Sequence, residues 1–254
     1  MAGVKAAILA AGRGVRMGGG TPKTLLPLDG HEPLLAYILE GLRTSGVTDI
    51  LVVTGHRPTE IESYVAEHSE GLDVSFVRNA RYASWGNFHS VRVALDQLPG
   101  FDVLVVNCDV VVQPEVYKRV VDQSGDLVLA VEKRLVLDDE DMRVRLDGDR
   151  VLDIGKGLKR AYGHGEYAGV SLLRPEAARR YLKVATDLEW AHDVNGYYED
   201  VYAKLMGDLD VRAALVNEGE YAEVDTPDDV PAAVAVVQRH HQALAPRGSA
   251  EALT

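Results

Sequence analysis

Four short apolar runs set what this chain can fold into: KAAILAA (Lys5 to Ala11), DILVVTG (Asp49 to Gly55), DVSFVRN (Asp73 to Asn79) and DVLVVNCD (Asp102 to Asp109). Runs of Val, Ile and Leu indicate strands buried on both faces, and such strands form parallel sheets with helices packed above and below. Segments of helical spacing lie between them. EPLLAYILEGLRTSG puts Leu34, Leu35, Ile38 and Leu42 on one stripe and ends at Gly46, a C-cap; PTEIESYVAEHS opens with Pro58 in a first turn; a third helix is expected from about Asn87 to Leu98.

The second half changes character. VLAVEKRLV, MRVRLDGDRVLDIG and EYAGVSLL read as shorter strands, with LDGDRV (Leu146 to Val151) as a hairpin turn. Helices are expected near Glu176–Val184 and Asn195–Leu205, then extended VRAALV and EYAEVD, then a last helix in PDDVPAAVAVVQRHHQAL. The predicted fold class is α/β: a Rossmann-like mixed, mostly parallel sheet with helices on both faces, and later antiparallel strand additions over the active site. One domain is expected over 1–243, and 244–254, without periodicity, as a frayed tail.

Charge and cysteine content narrow the partners. A net charge of -12 over 254 residues argues against a broad nucleic-acid footprint, which needs clustered Lys and Arg. It does not exclude a small phosphorylated ligand, which responds to local cations screened from distant charge over ~8–10 Å. The single cysteine, Cys108, allows no intrachain disulfide, so a reducing cytoplasm is the expected compartment. No apolar run approaches the roughly 20 residues of a membrane-spanning helix.

The stretch AAGRGVRMGGGTPK (Ala10 to Lys23) follows the first strand directly. Ligands of open α/β sheets sit beyond the carboxyl ends of the strands. Glycine lets backbone amides approach phosphate oxygens, and Arg13, Arg16 and Lys23 add charge-assisted bonds, so a di- or triphosphate is the expected ligand. A P-loop is ruled out because Pro22 precedes Lys23 where that pattern needs glycine. A dinucleotide fingerprint fits poorly: Met17 stands where the third glycine belongs, and Glu32 begins a helix instead of ending a second strand.

The pattern A-A-G-x-G-x-R-M followed by P-K (Leu9 to Met17, Pro22 and Lys23) resembles the nucleotidylyltransferases acting on phosphorylated small molecules. Tyr82, Trp85, Asn87 and Ser90, in NARYASWGNFHS, look more like the phosphocholine-type cytidylyltransferase branch. The resemblance implies Mg²⁺ held by Asp109, at the end of the fourth run, and Asp225, in YAEVDTPDDV. Taken alone, Asp225 reads equally well as an N-cap before PDDV. It implies nucleotide contacts from Ala10, Ala11, Gly12, Gly14, Arg16, Asn87 and Ser90, and catalytic roles for Arg13, Lys23 and Lys156. It implies acceptor contacts from Tyr82, Trp85, Glu166, Tyr198, Glu199 and Asp200. The last three read equally well as a helix start with favourable acids and a packed aromatic face. Cys108, one residue before Asp109, is expected to face away from it as a buried structural cysteine.

The function so implied is transfer of NMP, CMP from CTP first, to a phosphate or phosphonate monoester with release of pyrophosphate. Guanylyl or uridylyl transfer to a sugar or cyclitol 1-phosphate is the alternative, and a nucleotide-binding regulatory module without catalysis is the alternative of another class. The partners expected are a nucleoside triphosphate and a small phosphorylated or phosphonate acceptor, with no nucleic acid, no membrane, and a homodimer left open.

Overall fold

The computed structural model describes residues 3–14, 20–28, 30 and 32–244, with side chains to residue 239. The expected tail, apart from its first residue, lies outside them. The apolar runs form β1 (Val4–Ala10), β2 (Asp49–Thr54), β3 (Asp73–Arg78) and β4 (Asp102–Asn107), and the segments between form α1 (Leu34–Ser45), α2 (Pro58–His68) and α3 (Phe88–Gln97). These four strands pair in parallel in the order β3-β2-β1-β4, with Ala7 registered against Leu51 on one side and Val105 on the other. Parallel pairing follows from the helical crossovers, which return each strand to the same end of the sheet.

The remaining elements are β5 (Val110–Val112), α4 (Pro114–Asp122), β6 (Leu127–Lys133), β7 (Arg143–Asp147), β8 (Arg150–Ile154), β9 (Gly165–Leu173), α5 (Pro175–Trp190), α6 (Tyr198–Leu205), β10 (Val211–Val216), β11 (Tyr221–Glu223) and α7 (Val230–Leu244). The nine-stranded sheet continues from β4 as β9-β6-β10-β8-β7, while β5 and β11 form a separate antiparallel ribbon. The hairpin expected at LDGDRV joins β7 to β8, with Gly148 in the left-handed region at φ 63°.

β9 is one of the expected later antiparallel strands: it lies between β4 and β6 and is buried at every residue. One expectation needs adjusting. β3 is an edge strand, exposed at Asp73, Ser75, Phe76 and Arg78, so it does not share the two-sided burial of its neighbours. Its polar residues mark that edge.

Strand alternation divides the core between the two faces. Ala7 and Leu9 of β1 pack with Phe88 and Val91 of α3, Tyr181 of α5 and Tyr202 of α6. Ala6, Ile8 and Ala10 pack with Leu35 and Ile38 of α1, Ile61 of α2 and Val116 of α4. Full burial of each such aliphatic or aromatic side chain stabilises by about 1.5–3 kcal/mol, and both faces are needed to hold one strand in register. A third cluster seats α7, through Ala233 and Val236, on Val111 of β5 and Ala222 of β11. That contact brings the segment around residue 225 to the end of β4. Among the described residues no helix is long and apolar enough to cross a membrane.

Candidate active site

The glycine loop leaves the carboxyl end of β1 beside the segment that carries Lys23. Gly14 has φ +56°, and a Cβ there would lie 2.7 Å from the Lys23 Cβ, so only glycine lets the two segments close. Lys23 opens a short 3-10 turn, Lys23–Leu25, behind Pro22, which supplies the fixed backbone at its start. Its ammonium reaches Asp225 Oδ1 at 2.5 Å and Asp109 Oδ2 at 3.3 Å. Burial pulls the Lys23 pKa down, but Asp109 and Asp225 outweigh it and hold the group above its ordinary value. The lysine is therefore charged at neutral pH.

Local hydrogen bonding decides which way Asp225 faces. Asp229 accepts from the backbone amides of Asp225 and Thr226, at 2.9 and 2.7 Å, and from the Thr226 hydroxyl at 3.0 Å. Thr226 and Asp229 thus cap the following turn. The Asp225 carboxylate is not spent as a cap and turns toward Lys23.

A third carboxylate, missed in the sequence, completes the group. Asp109, Glu223 and Asp225 each offer an oxygen, all within 4.8 Å of one another. The signal was present in E-V-D: residues two apart in an extended segment share a face. The Glu223 carboxyl is pushed up to about 8 by desolvation and by the charges of Asp109 and Asp225. Because the residue is exposed, the neighbouring charges are the firmer cause. Asp109 Oδ1 is buried without a hydrogen-bond partner among the described residues.

Two cavities meet at these carboxylates. The first, about 270 Å³, is lined by Ala10, Gly12, Gly14, Lys23, Thr24 and Cys108. The second, about 300 Å³, is lined by Asn87, Asn107, Lys156, Glu166, Tyr167 and Glu199 among others. Asp109 and Asp225 line both.

The other expected residues divide clearly. Ala11 is buried, and its carbonyl accepts from the His56 amide at 3.1 Å. Arg13 is exposed on the loop, and Arg16 lies outside the described residues. Ser90 is buried and accepts from Asn79 Nδ2 at 2.9 Å, lining neither cavity. Asn87 Oδ1 accepts from the Tyr198 amide at 2.9 Å and faces the second cavity, away from the glycine loop. Close backbone contact at Gly86 permits this: a Cβ there would lie 2.0 Å from the Gly196 carbonyl oxygen. Tyr82 packs on Gly55, and Trp85 stands edge-on to His89 at 4.7 Å with Arg81 across its face. Neither lines either of these two cavities.

Of the acceptor set, Lys156, Glu166 and Glu199 share the second cavity. Lys156 pairs with Glu140 at 3.2 Å. Glu166 lies 2.6 Å from Arg134, and its carboxyl is pushed up to about 7 by burial, against Arg134 and with Asp141 and Glu132 adding. Tyr198 is fully buried, its hydroxyl donating to Asn107 Oδ1 at 2.9 Å. Asp200 instead accepts from the Tyr197 amide at 2.7 Å and caps α6. Cys108 does not face away from Asp109 as expected: it lines the first cavity beside it. β4 ends at Asn107, so strand alternation no longer applies there. Its thiol is pushed up to about 12 by burial and by Asp109, leaving it protonated and a poor nucleophile at neutral pH.

Such a sheet, with a glycine loop and clustered carboxylates at its strand ends, defines an α/β protein of the nucleotide-handling class. The chain belongs to the family of the MobA-like NTP transferase domain, whose model matches residues 6–183. It is 36% identical over 234 residues to the bifunctional IPC transferase and DIPP synthase of Rubrobacter xylanophilus, covering 90% of this chain and 50% of that one. It is 30% identical over 244 residues to the CMP-5'-(3-aminopropyl)phosphonate synthase of Streptomyces rubellomurinus, covering 89% of this chain and 37% of that one. The chain thus spans half or less of the length of these relatives. In fold it is similar to the inositol-1-phosphate CTP transferase from T. maritima, with a TM-score of 0.78 at 21% identity, covering 93% of this chain and 95% of that one.

Proposed function

We propose that the protein transfers CMP from CTP to a phosphate or phosphonate monoester and releases pyrophosphate. The observation that carries this reading is the meeting of two cavities at Asp109 and Asp225, with Lys23 bridging that pair. One polyanion fits the glycine-loop side and a second anion the side of Lys156. The relatives named for CMP- and CTP-dependent reactions support cytidine as the donor base.

In this reading the amides of Gly12 and Gly14 bind the triphosphate, with Arg13 on its outer phosphates. Lys23 stabilises negative charge at the α-phosphate. Lys156 holds the acceptor anion. An acceptor phosphate oxygen is already ionised near neutral pH, so neither a general base nor a protein nucleophile is needed, and the protonated Cys108 thiol supplies none. The barrier to lower is repulsion between two anions and charge growing on the leaving pyrophosphate, so positioning and fixed charges dominate.

Three carboxylate oxygens, with Asp109 Oδ1 buried and without a partner among the described residues, fit a hard divalent cation. Asp109, Glu223 and Asp225 would hold Mg²⁺. When bound, it neutralises charge between donor and acceptor phosphoryl oxygens. The reading also takes residues 1–243 as one domain, supported by a single sheet that runs from β3 to β7.

The test is a pyrophosphate-release assay of CTP, UTP, GTP and ATP against alkyl phosphonates and phosphate monoesters with Mg²⁺. CTP is expected to lead, and Lys23→Ala and Asp109→Ala to lower turnover by about 10²-fold or more with unchanged circular dichroism. Near-wild-type turnover in both variants contradicts the mechanism. Nucleotide binding without pyrophosphate release from any pair contradicts the function.

A further inference from the structure

We infer that Arg143 is a positioning residue for the acceptor: its guanidinium clamps two loop segments that wall the second cavity and, through the backbone of Lys156, holds that lysine's ammonium in place for the acceptor anion. The inference rests on the transfer reading above and adds to it a residue that lines neither cavity.

Arg143 opens β7 and is only 4% exposed. Its Nε donates to the Leu158 carbonyl at 2.7 Å, its Nη1 to the Asp138 carbonyl at 2.5 Å, and its Nη2 to the Lys156 carbonyl. Asp138 belongs to the connection between β6 and β7, whose residues Glu140, Asp141 and Met142 line the second cavity. Lys156 and Leu158 follow β8, and Lys156 lines the same cavity from that second segment. One buried side chain therefore ties together both segments. Its own carbonyl also accepts from the Gly155 amide at 2.9 Å, so the residue grips the approach to Lys156 from both ends.

The other ion pairs between these segments are exposed. Lys156 meets Glu140 at 3.2 Å and Arg160 meets Asp139 at 2.7 Å, and both carboxylates are 82% exposed, so solvent screens these pairs and they contribute little. Asp139 stands 4.0 Å from Arg143 and is equally open, which leaves the buried guanidinium balanced mainly by carbonyl dipoles. For cohesion alone an apolar side chain in this place would serve as well. What the planar fork adds is register, because three donors aimed in different directions fix three carbonyls relative to one another. An ammonium presents its donors from a single atom and cannot span them. With its backbone so fixed, Lys156 starts from one place, and its ammonium stands 5.7 Å from the Tyr197 ring centre at the cavity wall. Ordering a long cationic side chain before the acceptor arrives lowers the cost of binding it.

The experiment measures pyrophosphate release with CTP, Mg²⁺ and whichever of 2-aminoethylphosphonate, phosphocholine and inositol 1-phosphate gives the highest kcat/KM. Arg143→Lys and Arg143→Gln are each expected to raise the acceptor KM by at least about tenfold, with the CTP KM and kcat changed by less than about threefold. In a Lys156→Ala background, adding Arg143→Lys is expected to change kcat/KM for the acceptor by less than about threefold, because the two residues act on one contact. An unchanged acceptor KM, a CTP KM that rises in step with it, or effects of Arg143→Lys and Lys156→Ala that simply multiply overturns the inference while leaving transfer intact. If circular dichroism shows that neither Arg143 variant folds, Arg143 is a folding residue and the inference fails. If no acceptor yields pyrophosphate, the transfer reading fails, and calorimetric titration of inorganic phosphate into protein holding CTP and Mg²⁺ decides the inference: binding at least about tenfold weaker in Arg143→Lys supports it, and equal binding, or none by the wild type, overturns it.

Discussion

Glu199 shows how much a single side chain can hide in a sequence. Within NGYYEDVY it stands between Tyr198 and Asp200, and spacing alone gives no reason to separate their roles. The first turn of α6 separates them, sending Glu199 into the cavity and Asp200 back over the helix start. Complete burial pushes the Glu199 carboxyl from 4.5 up to about 8; its own backbone amide and Tyr198 oppose this, and the charges of Asp200 and Asp109 add to it. Between those values the folded state keeps a proton that the unfolded state releases, so this group makes stability fall as pH rises, by up to about 1.4 kcal/mol per unit. Below 4.5 both states are protonated, and above 8 both are ionised. Glu199→Gln should therefore gain stability relative to wild type as pH rises from 5 to 8, measured by urea unfolding without ligands. A pH-independent difference would show that Glu199 titrates normally. Asp109 was easier to read, because it follows a run of apolar strand residues, whereas Asp225 was ambiguous until Thr226 and Asp229 were seen to make the cap.

Elements were legible where burial was one-sided or complete, and less so at sheet positions set by distant partners. β1, β2 and β4 follow directly from uninterrupted apolar residues. β9 has an equally apolar sequence, but nothing local shows that it inserts antiparallel between β4 and β6. α6 can be tested as an element. At its N-terminus the Asp200 side chain accepts from the Tyr197 amide at 2.7 Å, and the Asp200 amide donates to the Tyr197 carbonyl at 3.2 Å. Asp200→Ala should cost about 1 kcal/mol of unfolding free energy, measured by urea unfolding. An unchanged stability would show that the Asp200 cap contributes nothing to α6.

At the scale of the whole molecule, the site depends on contacts that no local pattern encodes. Lys23 meets Asp109 across 86 residues and Asp225 across 202. The glycine loop led to the expectation of a phosphate ligand, but the two cavities and their shared carboxylates depend on α7 packing on the ribbon of β5 and β11 that follows β4. In the proposed reading, donor and acceptor lie on opposite sides of one carboxylate pair, and the cysteine beside that pair, Cys108, is protonated at neutral pH. The most direct measurement is the stereochemical course at the α-phosphorus, followed by phosphorus NMR with an α-thio-CTP diastereomer and 2-aminoethylphosphonate. Direct attack by the acceptor predicts inversion, and retention would require a covalent nucleotidyl intermediate and contradict the account.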